Sequence, residues 1–498
     1  MNAFSKLIRY IRINYSKLHL FASKIPFYSV TLFSRLPQNI NNVLNISFPP
    51  EYSADLVASS HIVVLKCTGR SVFIRDISSA LVSDEFSSAE KLELHGFGWI
   101  SLLNLNMDRQ WRLLIRSHIG FWIWNFHNFT DVAWEIPVIS ERLYNWIIQY
   151  NFISKTLDKN FNAALIKSLL KQLKFLRRLL YLPLDFSDKV ILIRALAVAL
   201  SAINDKRNLL KVVHELAIFL KEADCTRSCK TPQEILNVLR YLIEIQSTIL
   251  FYRQKIPNEI IETVSKLANI TRKIRHADGG ISIFQSEFTP SPLYVDAVLS
   301  CVKTETIADI NDLNYLKLKS FEGTIFVDVG NKFFPIEFSA GSQRMILGTY
   351  LYFSDQKLSF SKNSKIRHTV DKEKNNIWFI GKSQFTINDH EIMFEKRLYI
   401  NNLGVDIRCE ESLSTKSFDI VHYIVLPGEI DISLLEYQNG FFMDLKSGIR
   451  WVWSFNKEAK FSFDFEKIGI LNGEKRNFTL LAIDSNSSNR LKWSLKKI

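Results

Sequence analysis

Apolar residues recur at helical spacing along the first part of this chain and at alternate positions along the last part, with the change near Ile274. From Phe161 onward, Leu165, Ile166, Leu169, Leu170, Leu173, Leu176 and Leu180 share one helical face, while Lys167, Lys171, Lys174 and Arg178 lie away from it. Residues 190–203 are nearly all apolar, which predicts a helix buried on most sides, and 209–220 repeats the amphipathic pattern. Thr231-Pro232-Gln233-Glu234 reads as a helix start with a capping box, and the helix it opens runs to about Phe251. Pro257-Asn258-Glu259 opens another that ends near Ile274. Successive helices with short connections pack as antiparallel hairpins, which close into a bundle or a toroid.

After Gly280 the period becomes two. Strands are predicted over 323–329, 333–338, 345–353, 397–400, 405–408, 419–425, 441–445, 450–455 and 460–465. In the last of these Phe461, Phe463 and Phe465 share a face. Many strands separated by Gly, Asn, Ser and Asp turns predict an antiparallel sandwich. The fold class is therefore α+β and multidomain. Residues 1–90 form a mixed N-terminal region with a basic amphipathic start, 91–280 a helical domain and 281–498 a β-sandwich. Within the first region, short β-like pieces occur at His61-Ile62-Val63-Val64-Leu65 and Ser71-Val72-Phe73-Ile74.

At 498 residues, 47% hydrophobic and 23% charged, the chain is long enough for full cores and is not mainly disordered. Its net charge of +13 predicts an anionic partner. The basic residues are dispersed, and no helix-turn-helix, zinc-finger or RNP-like pattern is visible, so nucleic acid is not expected. No glycine-rich phosphate loop is present. Five scattered cysteines do not make a disulfide framework, and Cys225 and Cys229 lack a histidine pair at zinc spacing. Residues 1–35 are apolar but interrupted by Lys6, Arg9, Arg12, Lys17 and Lys24, so they do not read as a secretory signal. Two readings stay open for them: a basic amphipathic helix on a membrane surface, or an ordinary docked helix.

Several short segments, in order, resemble the bacterial heparinase II/III-like family, relatives of the polysaccharide lyases. They are Leu94-His95-Gly96-Phe97-Gly98-Trp99; 134–146 with Trp134, Pro137 and Arg142; and Arg275-His276-Ala277-Asp278-Gly279-Gly280. Further on come Phe338-Ser339 with Gly341 and Arg344, then Arg367-His368-Thr369-Val370, 422–427 and 448–455. The resemblance implies an α/α toroid followed by a β-sandwich. It implies β-elimination on an acidic, uronate-containing polysaccharide, with a cleft where the two domains join. It also implies residence in the cell envelope or periplasm; with no export signal visible, the cytoplasm is the alternative.

That chemistry neutralises a uronate carboxylate, takes the adjacent proton with a base and protonates the leaving oxygen with an acid. The resemblance points to His276 as the first catalytic candidate, with Asp278 beside it to orient the ring, and to His368 as the second. Tyr252 is the candidate acid, against a packing role at a helix end. Arg227, Arg275, Asp278 and Trp134 are the candidate substrate contacts, and Trp134 competes with a reading as core. No metal or other cofactor is expected, since one histidine such as His368 does not make a metal site.

The chain also departs from the family. Members carry Asp-Gly-Gly-His and then Arg-Asn-Pro, where this sequence has Asp224-Cys225-Thr226-Arg227 and Lys230-Thr231-Pro232. The His-bearing loop that members place between their Asp-X-Gly and Phe-Glu-X-Ser strands is missing between Asp328-Val329-Gly330 and Ile336-Glu337-Phe338-Ser339. A polysaccharide-binding protein that has lost catalysis is therefore the alternative function.

Overall fold

The computed structural model describes residues 3–22, 62–65, 70–103, 109–128, 132–154, 158–284, 289–303, 314–353, 365–373, 375–387, 390–414, 420–428, 430–435, 439–445, 448–471, 474–484 and 490–498. The chain divides into two compact units. One comprises Met1–Lys230, Glu234–Asn269 and Asp296–Thr306; the other comprises Thr231–Gln233, Ile270–Val295 and Ile307–Ile498.

The first unit is helical. Its longer helices are α1 (Ala3–Ala22), α2 (Ser88–His95), α3 (Arg109–Asn125), α4 (Ile136–Ile148), α5 (Lys159–Leu179), α6 (Phe186–Ala202), α7 (Lys206–Glu222), α8 (Pro232–Phe251) and α9 (Asn258–Lys273), the last reaching into the second unit. A further helix, α10 (Pro292–Ser300), follows the change of period and was not anticipated. The apolar run that predicted a helix buried on most sides is α6, whose residues from Val190 to Ala202 are all buried. It packs against α4, α5 and α7. At the start of α8 the Glu234 carboxylate accepts the backbone N–H of Lys230 at 2.7 Å. A full capping box forms at α2, between Ser87 and Glu90. Between α1 and α2, β1 (Ile62–Val64) and β2 (Ser71–Phe73) pair antiparallel, Ile62 opposite Phe73.

Among the described residues the second unit is built from three antiparallel sheets. The first joins β3 (Tyr315–Lys319), β4 (Gly323–Asp328), β5 (Ile336–Ala340) and β6 (Gln343–Ile346) in sequence order. The remaining strands are β7 (Gly348–Phe353), β8 (Lys365–Glu373), β9 (Asn376–Ile387), β10 (His390–Ile400), β11 (Asp406–Leu413), β12 (Ile420–Pro427), β13 (Asp431–Leu434), β14 (Gly440–Asp444), β15 (Arg450–Phe455), β16 (Lys460–Leu471), β17 (Glu474–Asp484) and β18 (Arg490–Lys497). They form a four-stranded sheet β16-β17-β12-β7 and an eight-stranded sheet β13-β14-β15-β18-β11-β10-β9-β8. Alternate residues of all three sheets enter one core around Phe334, Phe379, Phe394, Trp451, Trp453 and Trp493. Gly381 is required there, because a Cβ at this position would lie 2.8 Å from the Phe334 ring.

Two expectations change. Phe461 and Phe463 pack against the core, but Phe465 is exposed, because a register shift between Asp464 and Lys467 breaks the alternation. Strands β3, β8, β9, β13, β17 and β18 were not foreseen, nor was the first part of β10.

Candidate functional site

The segment Ile274–Phe284 lies on the sheet β3-β4-β5-β6 of its own unit, and His276 is its fixed point. After α9 the chain makes a turn closed by His276 N–H to the Gly280 carbonyl and Gly279 N–H to the His276 carbonyl. Gly279 adopts φ +85°, where an L side chain is strained. The turn aims the imidazole at β5. Glu337 and Ser339 are two apart on that strand and face the same way. His276 Nε2 is 2.9 Å from Glu337 Oε2, and Nδ1 is 3.1 Å from Ser339 Oγ. The Phe326 ring of β4 meets the imidazole edge to face at 4.5 Å. The other oxygen of Glu337 accepts the backbone N–H groups of Ile283 and Phe284, each at 2.7 Å. The His276 side chain is 1% exposed and that of Glu337 is 0%.

Burial pushes Glu337 up to about 8, against the pull of Arg344 and of the two N–H donors. Burial also holds His276 well below its ordinary value, helped by the nearby charges of Arg344 and Lys317. Both shifts favour the same arrangement, one proton between carboxyl and imidazole and no net charge on the pair.

The carboxylate facing the imidazole is thus Glu337, and Asp278 does not orient it. Asp278 is paired with Arg344, with Nε to Oδ2 at 2.8 Å, and accepts the Gly280 N–H. Arg275 donates to the Gly279 carbonyl at 2.9 Å, and its own carbonyl accepts from Lys317. The motif from Arg275 to Gly280 therefore pins this segment to the sheet.

The other sequence candidates are placed as follows. His368 is exposed on the edge strand β8, its ring stacked near Phe379 at 6.2 Å. Tyr252, just beyond α8, is half-buried and donates its hydroxyl to the Ser201 carbonyl at 2.8 Å. Arg227 is 68% exposed and 3.6 Å from Asp224. Trp134 is core: it is buried, donates Nε1 to the Phe126 carbonyl and packs edge-on against Phe175. Trp99, Trp122 and Trp146 are likewise buried, while Trp124 is exposed. Arg142 explains the first two resembling segments. Fully buried, it lies 3.9 Å from the Trp122 ring and donates to the carbonyls of His95 and Ala133 and to Gln172. Tyr252, Arg227 and Trp134 belong to the helical unit, and His276, Arg275, Asp278 and His368 to the β unit. Where the His-bearing loop is missing, Asp328 closes a tight turn by accepting the N–H groups of Gly330 and Asn331.

Sequence reasoning missed two charged nodes. In the helical unit, Arg194 of α6 joins Glu244 of α8 and Glu141 of α4, the latter at 3.1 Å. Its guanidinium lies over the rings of Tyr144 at 3.2 Å and Tyr241 at 4.4 Å. The two tyrosine hydroxyls complete the ring of bonds, Tyr144 donating to Glu244 and Tyr241 to Glu141, each at 2.8 Å. Within the β-sandwich, Lys396 and His422 approach the two oxygens of Glu411 at 2.9 and 2.7 Å. A lone charge inside an apolar helix, such as Arg194, was the one available signal. Among the described residues no group of three or more His, Cys, Asp or Glu side chains could hold a metal ion. Cys225, Cys229, Cys301 and Cys409 are free thiols.

A helical toroid followed by an antiparallel β-sandwich defines the class of fold. Within that class the chain has the fold of heparinase III. The crystal structure of heparinase III matches over 98% of this chain and 91% of that one, with a TM-score of 0.60 and 11% identity. A mutant heparan sulfate lyase from Pedobacter heparinus also aligns, at 9% identity over 97% of this chain and 89% of that one, with a TM-score of 0.46. No family model and no curated protein matches the sequence.

Proposed function

We propose that this protein engages an acidic, uronate-containing polysaccharide and cleaves it by β-elimination. The reading is supported by the likeness to the heparinase III fold, which runs through both units and 98% of the chain. The net charge of +13 suits the ligand. In this reading the exposed Arg227 pairs with a uronate carboxylate. His276, Arg275 and Asp278 act as positioning residues through the segment they pin. Fold alone does not assign chemistry, so the reading stands or falls on product.

A second reading, a protein of the same fold that binds the polymer without cleaving it, is favoured by one observation. The imidazole of His276 is closed to solvent and engaged at both nitrogens. One experiment separates the two. The full-length protein is incubated with heparan sulfate, hyaluronan, alginate and polygalacturonate. Ultraviolet absorbance follows the unsaturated uronate, and affinity electrophoresis follows binding. Unsaturated product establishes the lyase. Salt-sensitive binding without product establishes the second reading, and absence of both removes the polysaccharide ligand.

A further inference from the structure

Helix α1 meets the rest of its unit the wrong way round for a docked amphipathic helix. Its protein-facing side carries Arg9, Arg12 and Ser16 beside Ile13. Arg9 pairs with Glu222 at 2.7 Å and Arg12 with Glu215 at 3.1 Å, both on α7. Arg12 also lies over the Tyr181 ring at 4.9 Å, and Ser16 is fully buried. Below the helix the seam is loose: a cavity of about 260 Å³ remains between Arg9 and Ile13 on one side and Leu182, Pro183, Lys189 and Phe219 on the other. The apolar side points away. Ile11, Leu18 and Phe21 are 57%, 62% and 69% exposed, and Tyr10 and Tyr15 are exposed beside them. Ile11, Tyr15 and Leu18 stand at i, i+4 and i+7, Tyr10 and Phe21 lie three turns apart on an adjoining line, and the exposed Asn14 sits between the two lines on this broad face. Lys17, also exposed, flanks it.

We propose that α1 is an interfacial helix that seats the protein on an anionic lipid bilayer. A stripe of this kind lowers its free energy by leaving water, and ion pairs already hold the opposite side of the helix to its unit. The stripe is rich in aromatic rings, which suit the headgroup boundary. Charge decides the occupant. A chain of net charge +13 is attracted to anionic headgroups and repelled by a second copy of itself. None of the described helices is long and apolar enough to cross a membrane, so α1 lies in the surface plane.

The test is co-sedimentation of the full-length protein with vesicles of phosphatidylcholine alone or mixed with phosphatidylglycerol. Binding is expected to the mixed vesicles, weakening as salt rises. Leu18→Glu lowers the partition constant by about tenfold or more, since it places a charge in the apolar stripe. Lys17→Gln lowers it about fivefold, one surface cation's share. Both positions are exposed, so circular dichroism should match the parent; if Leu18→Glu misfolds, Ile11→Gln replaces it. Failure to sediment with either vesicle, equal binding to neutral vesicles, or unchanged binding by Leu18→Glu would overturn the proposal. So would a dimer in light scattering that Leu18→Glu dissociates.

Discussion

His276 and Glu337 hold one another inside the β unit, with Nε2 and Oε2 2.9 Å apart and neither side chain open to water. Because the second oxygen of Glu337 also takes the N–H groups of Ile283 and Phe284, one carboxyl fastens 276–284 to β5. Glu337→Leu takes the carboxyl partner from His276 Nε2 and the acceptor from two amides, and is expected to cost about 3 kcal/mol or more. Glu337→Gln keeps an acceptor oxygen and loses less. Hydrogen exchange at the amides of Ile283 and Phe284 reads this directly: protection should fall in the leucine variant and persist in the glutamine one.

The same pair sets a pH dependence. Unfolded, with ordinary values of 4.5 and 6.5, the two groups bind two protons at low pH, one between those values and none above. Folded, they keep one proton until about pH 8. Their contribution is therefore level from about pH 4.5 to 6.5, is lost as pH rises from 6.5 through about 8, and declines again below 4.5. Thermal melting of wild type and Glu337→Gln across this range should show the gap between them narrowing on the alkaline side. A gap that widens from pH 6.5 to 8 contradicts the assignment.

Glu411 has the opposite sign. Burial pushes it up, but the Lys396 ammonium and the His422 bond outweigh burial and hold it at about 2, below its ordinary 4.5. Its contribution is complete above pH 4.5 and is lost as pH falls from 4.5 through about 2. Lys396→Met should raise the midpoint of acid unfolding, followed by near-ultraviolet circular dichroism. An unchanged midpoint would detach the ion pair from acid stability.

In the helical unit, Arg194→Met strands the buried carboxylate of Glu244, with an expected loss of about 3–5 kcal/mol. Arg194→Lys should recover little, because a point charge cannot reach Glu141 and Glu244 together while lying flat over Tyr144 and Tyr241. Urea unfolding followed by far-ultraviolet circular dichroism tests both; a lysine variant as stable as the parent would show that charge alone matters.

Much of the fold was legible because burial in it is periodic. The leucines from Leu165 to Leu176 announced α5, and the unbroken apolar run of α6 announced a helix with no solvent face. Strand β8 was illegible for the converse reason: it is a sheet edge, nearly every residue is exposed, and no alternation is impressed on its sequence. The site was less legible than the fold. His276 was found by its place in a motif, but its partner Glu337 is 61 residues away, and nothing local marks that glutamate as the one facing the ring. Asp278, nearer in sequence, was the natural guess and is bound to Arg344 instead. Trp134 showed the same ambiguity, since a tryptophan that could stack on a sugar and one that fills a core have the same sequence signature.

The node at Arg194 bears on how the helical unit is assembled. Its partners are 50 residues downstream at Glu244 and 53 upstream at Glu141, and the tyrosine bonds to those carboxylates each span 100 residues. A nascent chain that has emerged only as far as α6 carries the cation with one of its two carboxylates, and α8 brings the other. The first half of the unit is thus incomplete until the second arrives, and the three helices should lock together in a single late step. Loss of any one of them should release the other two, so this unit is expected to melt as a whole, without a stable fragment ending between α6 and α8.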